Sequence, residues 1–172
     1  MIESLPTPLS AELALSSAEL GADLSVAWFG IPATQLENWW PLAVPHIDRV
    51  LARGNAMMTL DDVREFVASE LMQLWVLWDD RQAKVRGAGV TEICVYPRAK
   101  TCICRLFSAD DELRAHWLPK LGVIEEWART KGCEAVEVIG RPGWQRVLPG
   151  YRQCHVTLRK DLGRKDLQEA RE

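Results

Sequence analysis

Apolar residues recur at helical intervals in "ATQLENWWPLAVPHIDRVLARG", where Leu36, Trp39, Trp40, Ala43, Ile47 and Val50 share one face and Gly54 marks the stop. Pro41 and Pro45 inside that pattern predict a kinked helix or two short ones. A second helix is predicted from Thr59, a good N-cap followed by Asp61 and Asp62 in the dipole-favoured first turn, with Val63, Phe66, Val67 and Leu71 as its apolar stripe. The period then shortens. Gln73 to Asp79 reads as a strand, "DDRQAK" as a turn, and "VRGAGVTEICVYP" and "TCICRLFS" as two β-rich runs that "PRAK" joins in a hairpin. Two helices thus precede the first predicted strand.

A hairpin turn centred between Arg98 and Ala99 sets Glu92 opposite Arg105, two charged residues in otherwise apolar strands. A carboxylate there is either half of a structural cross-strand ion pair or a group held at a strand centre for proton transfer. Helical periodicity returns in "SADDELRAHWLPKLGVIEEWARTKG", with Ser108 as N-cap, Asp110 and Asp111 in the first turn, and Leu113, Trp117, Leu121, Ile124 and Trp127 along one face. Pro119 falls in its middle and Gly132 just past its end. "CEAVEVIG" is a short strand, placed parallel to Thr101–Phe107 because a helical crossover separates the two. A break at "GRPG", a bent segment around Trp144 and a final strand in "YRQCHVTLRKDL" complete the predicted order.

The 172 residues hold 48% hydrophobic and 26% charged positions, the balance of a globular chain with one substantial core. We divide it into an N-terminal arm (1–30), carrying Pro6, Pro8 and an echo of Ser-Ala-Glu-Leu, a domain (31–162) and a charged C-terminal tail (163–172). No run approaches the roughly 18 apolar residues of a membrane span, and Glu3 stands where an export signal would carry positive charge, so a cytoplasmic location is expected. A net charge of −3 supplies no overall field for nucleic acid. Five cysteines without metal-ligand spacing read as structural thiols; Cys102 and Cys104 alternate with Ile103 and share one strand face. Eight tryptophans are many for this length: most are expected in the core, with at least one at a pocket or interface.

Three antiparallel strands running into one β-helix-β crossover and a closing strand resemble the GNAT fold of N-acetyltransferases, an α+β sandwich with a mixed, mainly antiparallel sheet flanked by helices. "LPGYRQCHVTLRKDL" is similar to the stretch where such proteins turn through a Gly-aromatic pair into their last strand. "GRPGW" and "GYR" are similar to the closing steps of small acetyltransferase-like proteins of phages and prophages, for which a host cytoplasm or a virion would be the location.

The resemblance implies an acyl-coenzyme A, acetyl-coenzyme A for instance, as acyl donor. It would lie against the main chain of the strand before the long helix, with Arg105, Phe107, Ser108 and Ala109 as binding residues and the pyrophosphate at the helix start. It also implies a carboxylate base on a central strand, for which Glu92 is the candidate and Glu137 the second choice. Two features depart from the family pattern. "FSADDELRAH" has no glycine where the phosphate loop carries one, followed two residues later by Gly or Ala, and sets Asp110 and Asp111 where phosphates would sit, and the family's tyrosine acid falls near Arg146. Two functions are open: a degenerate acyl-coenzyme A N-acyltransferase of phage or prophage type, or a non-catalytic virion or protein-binding module whose partner surface the arm and the tryptophans could supply.

Overall fold

A computed structural model describes residues 26–53, 57–140, 142–154, 157 and 160. Five strands, β1 (Val26–Ile31), β2 (Met72–Asp79), β3 (Lys84–Tyr96), β4 (Ala99–Ala109) and β5 (Ala135–Val138), form one sheet in that spatial order. All pairings are antiparallel except β4 with β5. Helices α1 (Leu36–Leu51) and α2 (Leu60–Ala68) bury Leu36, Trp39, Ala43, Ile47, Val63 and Val67 against Leu74, Val76, Ala88, Val90 and Leu106 of the sheet. Side chains of alternate parity point to the other face. There Trp117 of α3 (Arg114–Trp117) packs on Phe107 at 5.4 Å between ring centroids, and Trp127 of α4 (Gly122–Thr130) on Trp75 at 5.3 Å. This is the expected α+β sandwich with one parallel crossover.

Several elements differ from the sequence reading. The first strand precedes both helices: Val26–Ile31 pairs with β2 along its whole length, although residues 26–30 read as the end of the arm. Its signal is six residues long and ends at Pro32, too short to stand out beside the weak segment before it. Helix α1 is continuous through Pro41 and Pro45. Those prolines withhold N–H groups from the carbonyls of Glu37 and Pro41, and all three residues are exposed, so water can serve the orphaned acceptors. Helix α2 begins as expected, with Thr59 and Asp62 forming a reciprocal capping box, but it ends before Leu71, which is 63% exposed.

The long helix expected from Ser108 is four pieces, turns of 3-10 helix at Asp111–Leu113 and Leu118–Leu121 alternating with α3 and α4. Ser108 is no cap; it is buried inside β4, and the break lies at Pro119, where a helical N–H is missing. Gly132, at φ +75°, closes α4 as expected: its N–H donates to the Arg129 carbonyl and that of Cys133 to the Ala128 carbonyl.

The chain packs as two compact units divided between Gly140 and Arg141. In the second, Pro142–Arg146 make a 3-10 turn, Val147 and Leu148 donate to the Trp144 carbonyl, and Gly150 turns at φ +81°. Tyr151–Cys154, Thr157 and Lys160 of the expected closing strand are in no ladder, and the rest of it lies outside the described residues, as does the charged tail.

Gly89 of β3 makes room for an aromatic of β4. A Cβ on Gly89 would come within 2.9 Å of Phe107 Cδ2 and 3.2 Å of the Leu106 carbonyl oxygen. Phe107 therefore lies over Gly89 and reaches Trp28, 4.8 Å away between centroids. All eight tryptophans are buried or half-buried. Cys102 and Cys104 are buried as expected, and burial pushes their thiols up to about 11 and about 12.

The buried Arg86 of β3 ties down the acidic turn that leaves the end of β4. Its Nε donates to Asp110 Oδ2 at 2.7 Å, one terminal nitrogen to Gln82, the other to Glu112, and Asp79 lies 3.9 Å away. Arg49 of α1 approaches Asp110 at 3.6 Å. Beside it His46 is buried, its Nδ1 without a partner among the described residues. Burial lowers the His46 pKa from the ordinary 6.5, with Arg49 and Lys84 acting the same way and Asp110 and the Val85 carbonyl opposing.

Gly89→Val should destabilise the protein by about 1–3 kcal/mol in urea unfolding, since its neighbours are a packed ring and a carbonyl. Arg86→Met should cost about 3–5 kcal/mol in the same assay, because it strands carboxylates around a buried cation site. His46 has a lower pKa folded than unfolded, so its contribution is complete above pH 6.5 and is lost as pH falls from there towards the folded value. The melting temperature of His46→Gln should therefore drop less than that of the wild type between pH 7.5 and pH 5.

Candidate functional site

The β3–β4 turn is centred between Pro97 and Arg98, one residue earlier than the sequence reading placed it, so Tyr96 faces Ala99 and Glu92 faces Ile103. Glu92 and Arg105 nevertheless meet. The register shifts between Val90 and Thr91, which pair with Leu106 and Cys104, leaving Arg105 as the extra residue of a β-bulge. Arg105 shares a face with Ile103, two residues before it, and hence with Glu92, and its Nε donates to Glu92 Oε2 at 2.6 Å, both side chains about one-third exposed. The ion pair is the expected one, made diagonally and not by direct facing, since Glu92 lies opposite Ile103 and Arg105 one pleat beyond it.

The same bulge reverses the backbone phase of β4. Before it, the carbonyls of Lys100 and Cys104 accept from Glu134 and Ile139, so even-numbered main-chain groups face β5. After it, Asp110 N–H donates to the Arg86 carbonyl, so even-numbered groups face β3. By two-residue alternation the main-chain groups of Phe107 and Ala109 are turned away from β3, towards the side on which β5 paired. The β5 ladder stops at the Cys104–Val138 pair, so β4 runs on past it for five residues, Arg105 to Ala109.

A cleft of about 370 Å³ opens at this point, lined by Met57, Met58, Phe66, Leu71, Met72, Glu92, Ile93, Arg105 and Ile139. Among the described residues its walls are apolar except for the Glu92–Arg105 pair. Three methionines give it an adaptable surface. None of the tryptophans lines it. Glu137, the second carboxylate considered, pairs across from Ile103, as Glu92 does from the other side, so both project from the same face of the sheet.

The residues expected to hold a cofactor are thus distributed. Arg105 lines the cleft, the Phe107 ring packs on the opposite face with Trp28 and Trp117, Ser108 is buried opposite Ala88, and Ala109 is half-buried opposite Gly87. What they share is a main chain, and Phe107 and Ala109 are the two whose backbone faces away from β3. The carboxylates at the helix start are less repulsive to an anion than their sequence suggests, because Arg86 and Arg49 engage Asp110, Arg86 engages Glu112, and Arg114 lies 3.8 Å from Asp111. Arg86 escaped the sequence reading; its signal is an arginine inside the apolar, glycine-rich run "VRGAGV". The methionines of the cleft carried no such signal, since they come from two separate segments.

Among the described residues no helix is long and apolar enough to cross a membrane, and no three metal-ligating side chains cluster. No protein-family model and no curated protein matches the chain. Solved structures do match. An aminoglycoside acetyltransferase from an uncultured soil metagenomic sample gives a TM-score of 0.61 at 12% identity over 82% of this chain and 99% of that one. A GNAT family acetyltransferase of Staphylococcus aureus gives 0.54 at 14% identity over 81% and 100%, and an acetyltransferase of Trypanosoma brucei 0.53 at 16% over 80% and 99%. At such identities the likeness establishes architecture: with its five-stranded mixed sheet and flanking helices, the chain has the GNAT acetyltransferase fold.

Proposed function

We propose that this protein is an acyl-coenzyme A dependent N-acyltransferase, with Glu92 as the base that receives the proton of the acceptor amine. The observation that carries the reading is the Glu92 carboxylate in an apolar cleft at the place where β4 leaves β5. Glu92 Oε2 is held by Arg105, which fixes the carboxylate's orientation, and no described residue bonds Oε1. A base positioned in this way within reach of a bound amine is the geometric requirement for general-base catalysis. The main chain of Phe107 and Ala109 is the surface we assign to the acyl donor, with Arg105 at the acyl end. Bound there, an acyl-coenzyme A supplies the thioester whose C–S bond breaks as the amide C–N bond forms, one amine proton ending on the released thiol and the other passing through Glu92 to solvent.

The loop from Ser108 to Glu112 has no glycine, so close approach of phosphates must rely on the arginines that balance its carboxylates. Arg146 stands near the position of the family's tyrosine acid, which leaves protonation of the thiolate to water. A phage or prophage type, with a host cytoplasm or virion as its location, rests on "GRPGW" and "GYR" and is part of the same proposal.

Titration calorimetry with acetyl-coenzyme A should give saturable heat in the micromolar range. Glu92→Gln should bind the donor unchanged and lower kcat by about 10²–10⁴-fold. Absence of both heat and thermal stabilisation at millimolar acetyl-coenzyme A would overturn the enzyme reading and leave a non-catalytic binding module, for which the arm (1–30) would be the first place to seek a protein partner.

A further inference from the structure

The cleft also carries information about the acceptor. We infer that it takes a free apolar α-amino acid as a zwitterion, its ammonium on Glu92, its carboxylate on Arg105 and its side chain among the methionines. The inference rests on the acyl-transfer reading for its chemistry and on the cleft alone for its binding.

Among its lining residues the cleft holds one carboxylate and one guanidinium, each already the other's partner. A polycation would find a single carboxylate whose charge Arg105 has largely cancelled, and a simple monoamine would leave the terminal nitrogens of Arg105 without an anion. A ligand with both signs meets neither difficulty, since its two charges add to the pair and leave the cleft neutral.

Geometry supports the same ligand. Arg105 spends its Nε on Glu92, and its two terminal nitrogens bond no described residue. That end of a guanidinium is the planar fork that matches a carboxylate with two parallel bonds. Glu92 likewise spends Oε2 on Arg105 and keeps Oε1 for a donor. A carboxylate and an ammonium on one carbon, as in an α-amino acid, can therefore be served by neighbouring side chains without breaking the pair.

The remainder of the lining is apolar. Phe66, Met58 and Met72 are half-buried, while Met57, Leu71 and Ile139 at the mouth are 73%, 63% and 55% exposed. Covering three large apolar side chains favours a ligand with an aliphatic or thioether body over a polar one. A volume of about 370 Å³ holds a side chain of leucine, methionine or phenylalanine size together with the amino-acid head. In the reaction the α-nitrogen loses one proton to Glu92 and forms the C–N bond to the acyl carbon as the C–S bond breaks, and its second proton passes through water to the departing thiolate. The products are an N-acyl amino acid and free coenzyme A.

Calorimetric titrations with L-leucine, isoamylamine and 4-methylpentanoate, each with and without saturating coenzyme A, test the inference without depending on turnover. L-leucine should bind at least about tenfold more tightly than either analogue, because each analogue leaves one charge of the pair unanswered. Arg105→Lys keeps the charge but lacks the fork; it should weaken L-leucine about tenfold and leave isoamylamine nearly unchanged, with an unaltered circular dichroism spectrum. Isoamylamine binding as tightly as L-leucine would overturn the zwitterion site. So would absence of heat with L-leucine, L-methionine and L-phenylalanine in a protein that binds acetyl-coenzyme A, an outcome that leaves the acyl-transfer reading standing. Binding of L-leucine by a protein that ignores acetyl-coenzyme A would support the zwitterion site and remove acyl transfer.

Discussion

One extra residue in β4 organises the functional end of this molecule. Without the bulge at Arg105, the ladder from Tyr96–Ala99 would continue in phase. The main chain of β4 would then present even-numbered groups to the β5 side along its whole length. With it, the backbone beyond turns Phe107 and Ala109 away from β3. A single irregularity beside the charged pair of the cleft thus sets the surface on which a donor is proposed to lie, the re-aiming that bulges beside functional sites commonly supply.

That arrangement depends on supports from both faces of the sheet. On one, Leu106 is locked into the core with α1 and α2. On the other, Phe107 lies over Gly89 within the cluster of Trp28 and Trp117. Successive residues after the bulge are therefore anchored in opposite directions, which leaves the strand little freedom to slip. Beyond Ala109, the Arg86 network takes over, fixing Asp110 and Glu112 to the sheet and to Arg49 of α1. A buried arginine in such a place contributes less to net stability than its bonds suggest, because desolvation offsets them, but removing it would be severe. Its role here is to hold an acidic turn in one position while neutralising it.

The cleft combines an apolar lining with one charged pair. Methionines accommodate varied shapes and discriminate poorly by themselves. In the proposed acceptor site, discrimination falls to the Glu92–Arg105 pair, whose unspent atoms a ligand carrying both charges would satisfy together. The fold is shared with acetyltransferases of distant organisms, an aminoglycoside acetyltransferase among them, and a shared sheet does not dictate the acceptor.

Much of this was legible in the residues themselves. Periodicity located α1 and α2 and the strands from β2 to β5, because each buries one face and repeats its own spacing. Thr59 and Gly132 marked helix ends through local hydrogen bonding and a positive φ, effects that need no tertiary partner. The sequence also marked Glu92 and Arg105 as a pair, since charges in apolar strands must find one another. Tertiary structure decided the rest. A strand as short as β1 acquires its identity from the edge of β2, where its backbone groups are paired. The continuity of α1 through two prolines depends on which side of the helix meets water, and the bulge at Arg105 arises in the pairing of β4 with β3. Local propensity is written in neighbouring residues, whereas register and burial are settled by segments far apart in the chain, and the site lies where the latter prevail.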